Sequence, residues 1–218
     1  MPDRYESVQE LMREHRGEVE IVALTLGRTD IAVLAPHAGG IEPLSGELAA
    51  AIAGSEHRLY LFAGAAPANN ADLHVTSTRF DEDRLRGVLV GARTAVAVHG
   101  ATGGDEAVTQ IGGRNTELGE RIAAALEHGG FAVLPAIDRL AAVSPTNLVN
   151  RVPDGGVQLE ISLGLRRSFL RGRLSSRQDR ANPRLRTPAF TRYVDTVCSV
   201  LDQSAPEERG GFWGWRRG

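Results

Sequence analysis

The sequence predicts a single α/β domain, a mixed and mostly parallel sheet flanked by helices. Three observations predict it. Short apolar runs rich in β-branched residues alternate with helix-forming segments along the chain. Two of those runs, residues 31–35 and 95–98, are apolar throughout, as strands buried on both faces are. The apolar segments are spread evenly over 218 residues, which suits one core rather than two.

In chain order, residues 7–15 carry a helical pattern and residues 19–26 read as a strand. The strand at 31–35 leads into a glycine-containing loop. Ser45 then caps a predicted helix through Ala53, built from Glu47, Leu48 and alanines. Leu59-Tyr60-Leu61-Phe62 reads as a strand, followed by a turn rich in Pro, Asn and Gly over 64–70 and a short extended segment over 73–77. The strand at 95–98 ends in His99-Gly100. A helix is predicted over 116–127, stopped by Gly129-Gly130. Residues 156–162 alternate between apolar and polar, and residues 190–201 form a last helix. The domain is expected over 1–205. Residues 206–218, with Trp213 and Trp215, read as a loosely held tail.

Composition narrows the function classes. A net charge of −2 argues against a nucleic-acid-binding surface. No apolar run approaches the ~20 residues that span a bilayer. The start, Met1-Pro2-Asp3-Arg4, lacks the pattern of a signal peptide, so cytoplasmic residence is the default expectation, with phage lysis as a route of release. Cys198 is the only cysteine, which leaves no internal disulfide and no cysteine-based zinc site. It is expected to pack as a small apolar residue. A metal site must therefore use His, Asp and Glu. All 25 basic residues are arginine. Codon usage in a GC-rich genome accounts for that, and any anionic substrate then meets planar guanidinium groups suited to carboxylates.

The chemistry begins at Pro36-His37-Ala38-Gly39-Gly40-Ile41-Glu42, directly after a buried strand. Imidazole nitrogen and carboxylate oxygen are a ligand pair suited to zinc. The five-residue separation is not the i, i+4 pair of a helical zincin. A metal site here needs a loop geometry, with Gly39 and Gly40 letting the backbone fold back. His99, ending a second buried strand, can face the same crevice, because ligand sites in open α/β sheets collect at the carboxyl ends of strands. A structural reading also fits, with Glu42 capping the next helix. In Val157-Gln158-Leu159-Glu160-Ile161 the two polar residues share one face. That face is either solvated or part of a cleft in which Glu160 takes a proton from water. The alternation fits both.

Six blocks fall in order along the chain: His37-Ala38-Gly39-Gly40-Ile41-Glu42, Leu73-His74-Val75-Thr76-Ser77-Thr78-Arg79-Phe80-Asp81, His99-Gly100, Gly112-Gly113-Arg114-Asn115, Asn147-Leu148-Val149-Asn150-Arg151 and Gly156-Val157-Gln158-Leu159-Glu160-Ile161-Ser162. Together, over roughly residues 19–201, they resemble the phage and bacterial poly-γ-glutamate hydrolase family. The resemblance implies a zinc-dependent amidohydrolase with a metallocarboxypeptidase-like, zinc-exopeptidase fold, cleaving the γ-amide linkage of poly-γ-glutamate. It implies that His37, Glu42 and His99 hold Zn2+ and that Glu160 is general base and later proton donor. The arginine at position 79, the segment Phe62-Ala63-Gly64 and the tail depart from the family pattern.

A polymer with one free α-carboxylate per residue suits forked donors. Arg79, Arg151 and Arg166 accompany the matching blocks, and Asn147 and Asn150 add amide donors. Arg166 also fits a surface ion pair and Asn147 a turn cap. His74, alternating with Val75, reads as a hydrogen-bonded structural histidine. Two further functions fit the residues. One is a zinc amidase for another γ-glutamyl or N-acyl amino acid, or a cell-wall peptide. The other is a non-catalytic binding module on the same fold, against which the presence of all four centre residues argues.

Overall fold

Helix and strand alternate nearly as the apolar pattern requires. The computed structural model describes residues 3–102 and 105–204, so the expected tail lies outside the described residues. The first half runs α1 (Val8–His15), β1 (Val19–Leu24), β2 (Ile31–Gly39), α2 (Ser45–Ala53), β3 (Arg58–Gly64), α3 (Asp83–Leu89) and β4 (Thr94–His99). The second runs β5 (Val108–Gly113), α4 (Thr116–His128), β6 (Ala132–Pro135), β7 (Gly156–Ile161), α5 (Leu163–Ser168), α6 (Arg177–Ala181) and α7 (Pro188–Asp202).

The strands form one sheet in the order β1-β3-β2-β4-β7-β5-β6. Its centre is parallel: β2 pairs with β3 and β4, and β4 with β7. Antiparallel pairs, β1 with β3 and β5 with β7, flank that centre, and β6 lies parallel to β5. Burial explains the apolar sequences: every residue of β4 and β7, and Ile31 through Ala38 of β2, is buried. On one face α2, α4 and α7 cover Val33, Val96, Val98 and Leu159. On the other, α1 and α3 cover Ala32, Leu34, Ala95 and Ala97. Among the described residues no helix is long and apolar enough to cross a membrane.

Two expectations change. Residues 73–77 do not add a strand; they lie between 3-10 turns at Asn70–Leu73 and Ser77–Arg79. Asn69 enters the first turn with φ 58°, and the Thr76 N–H donates to the Asp3 carboxylate at 2.7 Å, where a strand would need a ladder partner. The elements α3, β5, β6, α5 and α6 were not foreseen. β6 is four residues long, two of β5's six are glycine, and both strands are only partly covered, so neither has a strong apolar signature.

The chain turns toward α2, on one face, after β2, and reaches β4 from α3, on the other. The carboxyl ends of β2 and β4 therefore flank a topological switch point, where the connections diverge and leave a crevice.

Candidate metal centre

The end of β2 is shaped to aim side chains into that crevice. Its register against β3 shifts between Ala35 and Ala38, a bulge containing Pro36 and His37. Gly39 then takes φ +69°, and a Cβ there would lie 2.4 Å from the Gly64 carbonyl oxygen, so only glycine fits. The backbone folds back until the Glu42 N–H donates to the His37 carbonyl at 2.8 Å. That contact explains the five-residue separation: it closes a loop and puts both side chains on one side. Leu44, buried and at φ 81°, adopts a left-handed conformation costing on the order of 1 kcal/mol before the chain enters α2. Glu42 does not cap α2; Leu44 holds the cap position, and the Ser45 hydroxyl donates to the Glu42 carbonyl at 2.8 Å.

His37, Glu42 and His99 converge. His37 Nδ1 lies 3.0 Å from Glu42 Oε1 and 3.1 Å from His99 Nδ1, and His99 Nδ1 lies 3.5 Å from Glu42 Oε2. The His37 Nε2 must carry the ring proton, because its partner at 2.9 Å is the Val75 carbonyl, which can only accept. In the neutral ring Nδ1 is then a lone pair. A lone pair, a second imidazole Nδ1 and a carboxylate at these separations form a donor set that a metal ion would satisfy. Donors 2.0–2.1 Å from a tetrahedral zinc stand about 3.3 Å apart; the two imidazole nitrogens lie near that separation, and the carboxylate approaches His37 through Oε1 and His99 through Oε2. These three residues can hold a metal ion with one position left open.

Electrostatics agree with the geometry. Burial alone would raise the Glu42 carboxyl, but His37 and His99 outweigh it and hold the group well below the usual carboxylate range. Burial would lower His99, yet Glu160 and Glu42 turn the shift upward. Its Nε2 is buried without a hydrogen-bond partner among the described residues. The Gly100 N–H donates to Glu42 Oε2 at 2.8 Å, holding the carboxylate from the β4 side.

Glu160 belongs to this cluster. It pairs directly with His99 across β4 and β7 and is 5% exposed, so the solvated-face reading is overturned. Burial pushes its carboxyl above the ordinary value, with His99 opposing and Glu42 adding to the rise. The Gln158 Nε2 donates to its Oε1 at 2.8 Å, and Asn147 Nδ2 reaches Gln158 Oε1 at 3.4 Å.

The other candidate residues are placed less uniformly. Arg79 is about half exposed and lies 2.9 Å from the exposed Glu6. Asn147 caps its own turn by accepting from the Val149 N–H. Asn150 donates to the Ala142 and Ser144 carbonyls and accepts from the Arg114 and Gly156 N–H groups. The Arg151 guanidinium donates to the carbonyls of Thr146, Phe80, Ser77 and Thr78 and ties two crevice walls together. Arg166 forms no surface ion pair; it is 2% exposed. It donates to Ile161 at 3.1 Å, Pro43 at 2.8 Å and Ala101 at 2.9 Å, one carbonyl at the end of β7 and one beyond the end of each of β2 and β4.

Sequence reasoning missed two supports. Gln158 was visible as the residue sharing a face with Glu160, but not as its partner. His74 stacks its ring 4.0 Å from that of His37 and accepts orientation from Asp3, its Nδ1 donating at 2.7 Å. That hydrogen bond bears out a structural role, yet the ring also roofs the centre, with Nε2 4.0 Å from Glu42 Oε1. Nothing in the sequence links positions so far apart.

Comparison with known proteins places this geometry in context. The sequence pattern of a family described as poly-gamma-glutamate hydrolase matches residues 5–196. The UPF0714 protein YndL of Bacillus subtilis is 34% identical over 171 residues, 77% of this chain and 67% of YndL. The SPbeta prophage-derived protein YoqZ of the same organism is also 34% identical, over 77% of this chain and 61% of YoqZ. The chain thus spans roughly two thirds of these relatives' length. A bacteriophage poly-gamma-glutamate hydrolase structure superposes with a TM-score of 0.85 at 35% identity, covering 93% of this chain and 98% of that one. A zinc-free structure of YndL gives 0.85 at 27% identity, covering 93% and 99%.

Proposed function

The chain belongs to the poly-gamma-glutamate hydrolase family, and from that premise we propose that it is a zinc-dependent hydrolase of the γ-glutamyl amide bonds of poly-γ-glutamate. The observation that carries this reading is the convergence of His37 Nδ1, His99 Nδ1 and the Glu42 carboxylate beside the buried Glu160.

His37, Glu42 and His99 would hold the ion. Zinc bound there supplies Lewis acidity for water activation near neutral pH and for polarising the scissile carbonyl. The remaining chemistry belongs to the side chains. Glu160 accepts a proton from the attacking water as the new C–O bond forms at the γ-carbonyl. As a carboxylic acid it then donates that proton to the departing α-amine as the C–N bond breaks. Gln158 holds one carboxylate oxygen through this cycle and so fixes the orientation of the other. The His37 Nε2–H bond to Val75 keeps the ring in the tautomer a ligand needs.

Arg79 is the candidate for reading a substrate α-carboxylate, since its exposed ion pair with Glu6 is cheaply exchanged for another. Asn147 acts through Gln158. Asn150, Arg151 and Arg166 hold the crevice walls, their donors already directed at main-chain carbonyls.

The test combines metal analysis of the purified protein with the size distribution of high-mass poly-γ-glutamate after incubation. Bound zinc, a shift to short chains, loss on chelation and recovery with zinc support the reading. An unchanged size distribution with zinc bound rejects the polymer as substrate.

A further inference from the structure

Glu160 has two neighbours across the sheet. On one side is His99; on the other, in direct antiparallel register on β5, is Gln110. Residues paired in this way project to the same face with Cβ atoms about 5 Å apart. The Gln110 side-chain oxygen is buried and has no hydrogen-bond partner among the described residues. An unsatisfied buried amide oxygen is unfavourable, so it marks a position at which a donor is absent. Beyond it the sheet face opens. Gln110 pairs with Leu134 of β6, which is 48% exposed, and Ala132 is exposed as well.

This arrangement sets a direction for the substrate, resting on the function proposed above. The proton leaving Glu160 goes to the departing α-amine, so the leaving residue must lie beside Glu160. The β4 side is occupied by His99 and the ligand cluster, which leaves the β5 side. The leaving residue of a γ-linked glutamate chain carries an N–H and a carboxylate on the same carbon. A carboxamide presents the complementary pair, one acceptor and one donor, at matching spacing. We propose that Gln110 binds the leaving residue, its amide oxygen accepting from the α-amine N–H and its amide nitrogen donating to the adjacent α-carboxylate. The chain beyond then runs over β5 and β6 across Leu134.

The experiment compares wild type, Gln110→Met and Gln110→Glu on a γ-linked glutamate oligomer and on the same oligomer with its α-carboxyls methyl-esterified. Wild type is expected to favour the free acid. Gln110→Met, of similar shape but without the amide, should raise KM on the free acid about tenfold, with little change in kcat, and erase most of the preference over the ester. Gln110→Glu should raise KM further by setting a carboxylate against the substrate's own. If Gln110→Met is unstable, Gln110→Asn carries the same test with the amide withdrawn by one methylene. An unchanged free-acid preference in a folded variant overturns the inference and leaves the proposed function standing. A wild-type protein that cleaves neither oligomer overturns both.

Discussion

Arg166 is the residue at which stability and metal binding should fail together. Its replacement by methionine keeps the length of the stem and removes the guanidinium. Three hydrogen bonds from a charged donor disappear, to Ile161, Pro43 and Ala101. At ~1.5–3 kcal/mol each, the gross loss is roughly 5–9 kcal/mol. The Pro43 and Ala101 carbonyls are only part-buried and can take water instead, which brings the expected net cost to about 3–5 kcal/mol. For a chain of this size each kcal/mol moves the melting midpoint by ~2–4 °C, so a fall of roughly 10 °C is expected. The lost contacts anchor the loop after β2, which carries Glu42, and the chain just beyond β4, whose last residue is His99. Zinc affinity, measured by competition with a chromophoric chelator, should therefore fall by ~10- to 100-fold. Gly100 is glycine because of the same packing: a Cβ there would lie 2.6 Å from the Arg166 Cζ. If Arg166→Met melts like wild type, keeps its zinc affinity and only raises KM, the clamp is wrong and the guanidinium reads substrate.

Three further outcomes are expected. Glu160→Gln should lower kcat by ~10²–10⁴ with zinc content unchanged, and activity near the wild-type level would remove Glu160 from the role of base. Gly39→Ala must move the Gly64 carbonyl or abandon φ +69°, and should cost at least ~2 kcal/mol in urea denaturation together with weaker zinc binding; a neutral substitution would contradict the described loop. In the metal-free protein the depressed Glu42 carboxyl contributes stability that is complete above its ordinary value of 4.5 and is lost as pH falls below it. The wild-type denaturation midpoint should accordingly drop more steeply than that of Glu42→Gln below about pH 4.5, and parallel curves would argue against the pairing with His37 and His99.

The centre of the fold was legible because burial on both faces leaves continuous apolar runs, as in Ile31 to Ala35 and Ala95 to Val98. The helix at Ser45–Ala53 ended where predicted because alanines and a glutamate in the first turn leave no competing structure, but Ser45 is its first residue and Leu44, not Ser45, holds the cap position. β5 and β6 were hidden because an uncovered strand need not be apolar. His37, Glu42 and His99 could be proposed from their positions at strand ends, and their meeting within 3.5 Å is a tertiary fact. Glu160 was ambiguous for a physical reason: alternation shows which residues share a face, and only the register with His99 shows what that face meets. The supports at Val75, Asp3 and the carbonyls around Arg166 involve main-chain atoms or distant partners, about which side-chain identity is silent.

The hydrogen bond from His37 Nε2 to the Val75 carbonyl has a mechanical consequence. The segment that supplies this carbonyl continues within a few residues to the half-exposed Arg79, and Arg151 pins the turn between them. In the proposed function, a ligand's basicity and the reading of an incoming anion are therefore carried by one short stretch of chain. Any displacement of this segment is felt at the His37 ring, so a substitution remote from the centre would alter how firmly the proposed ion is held.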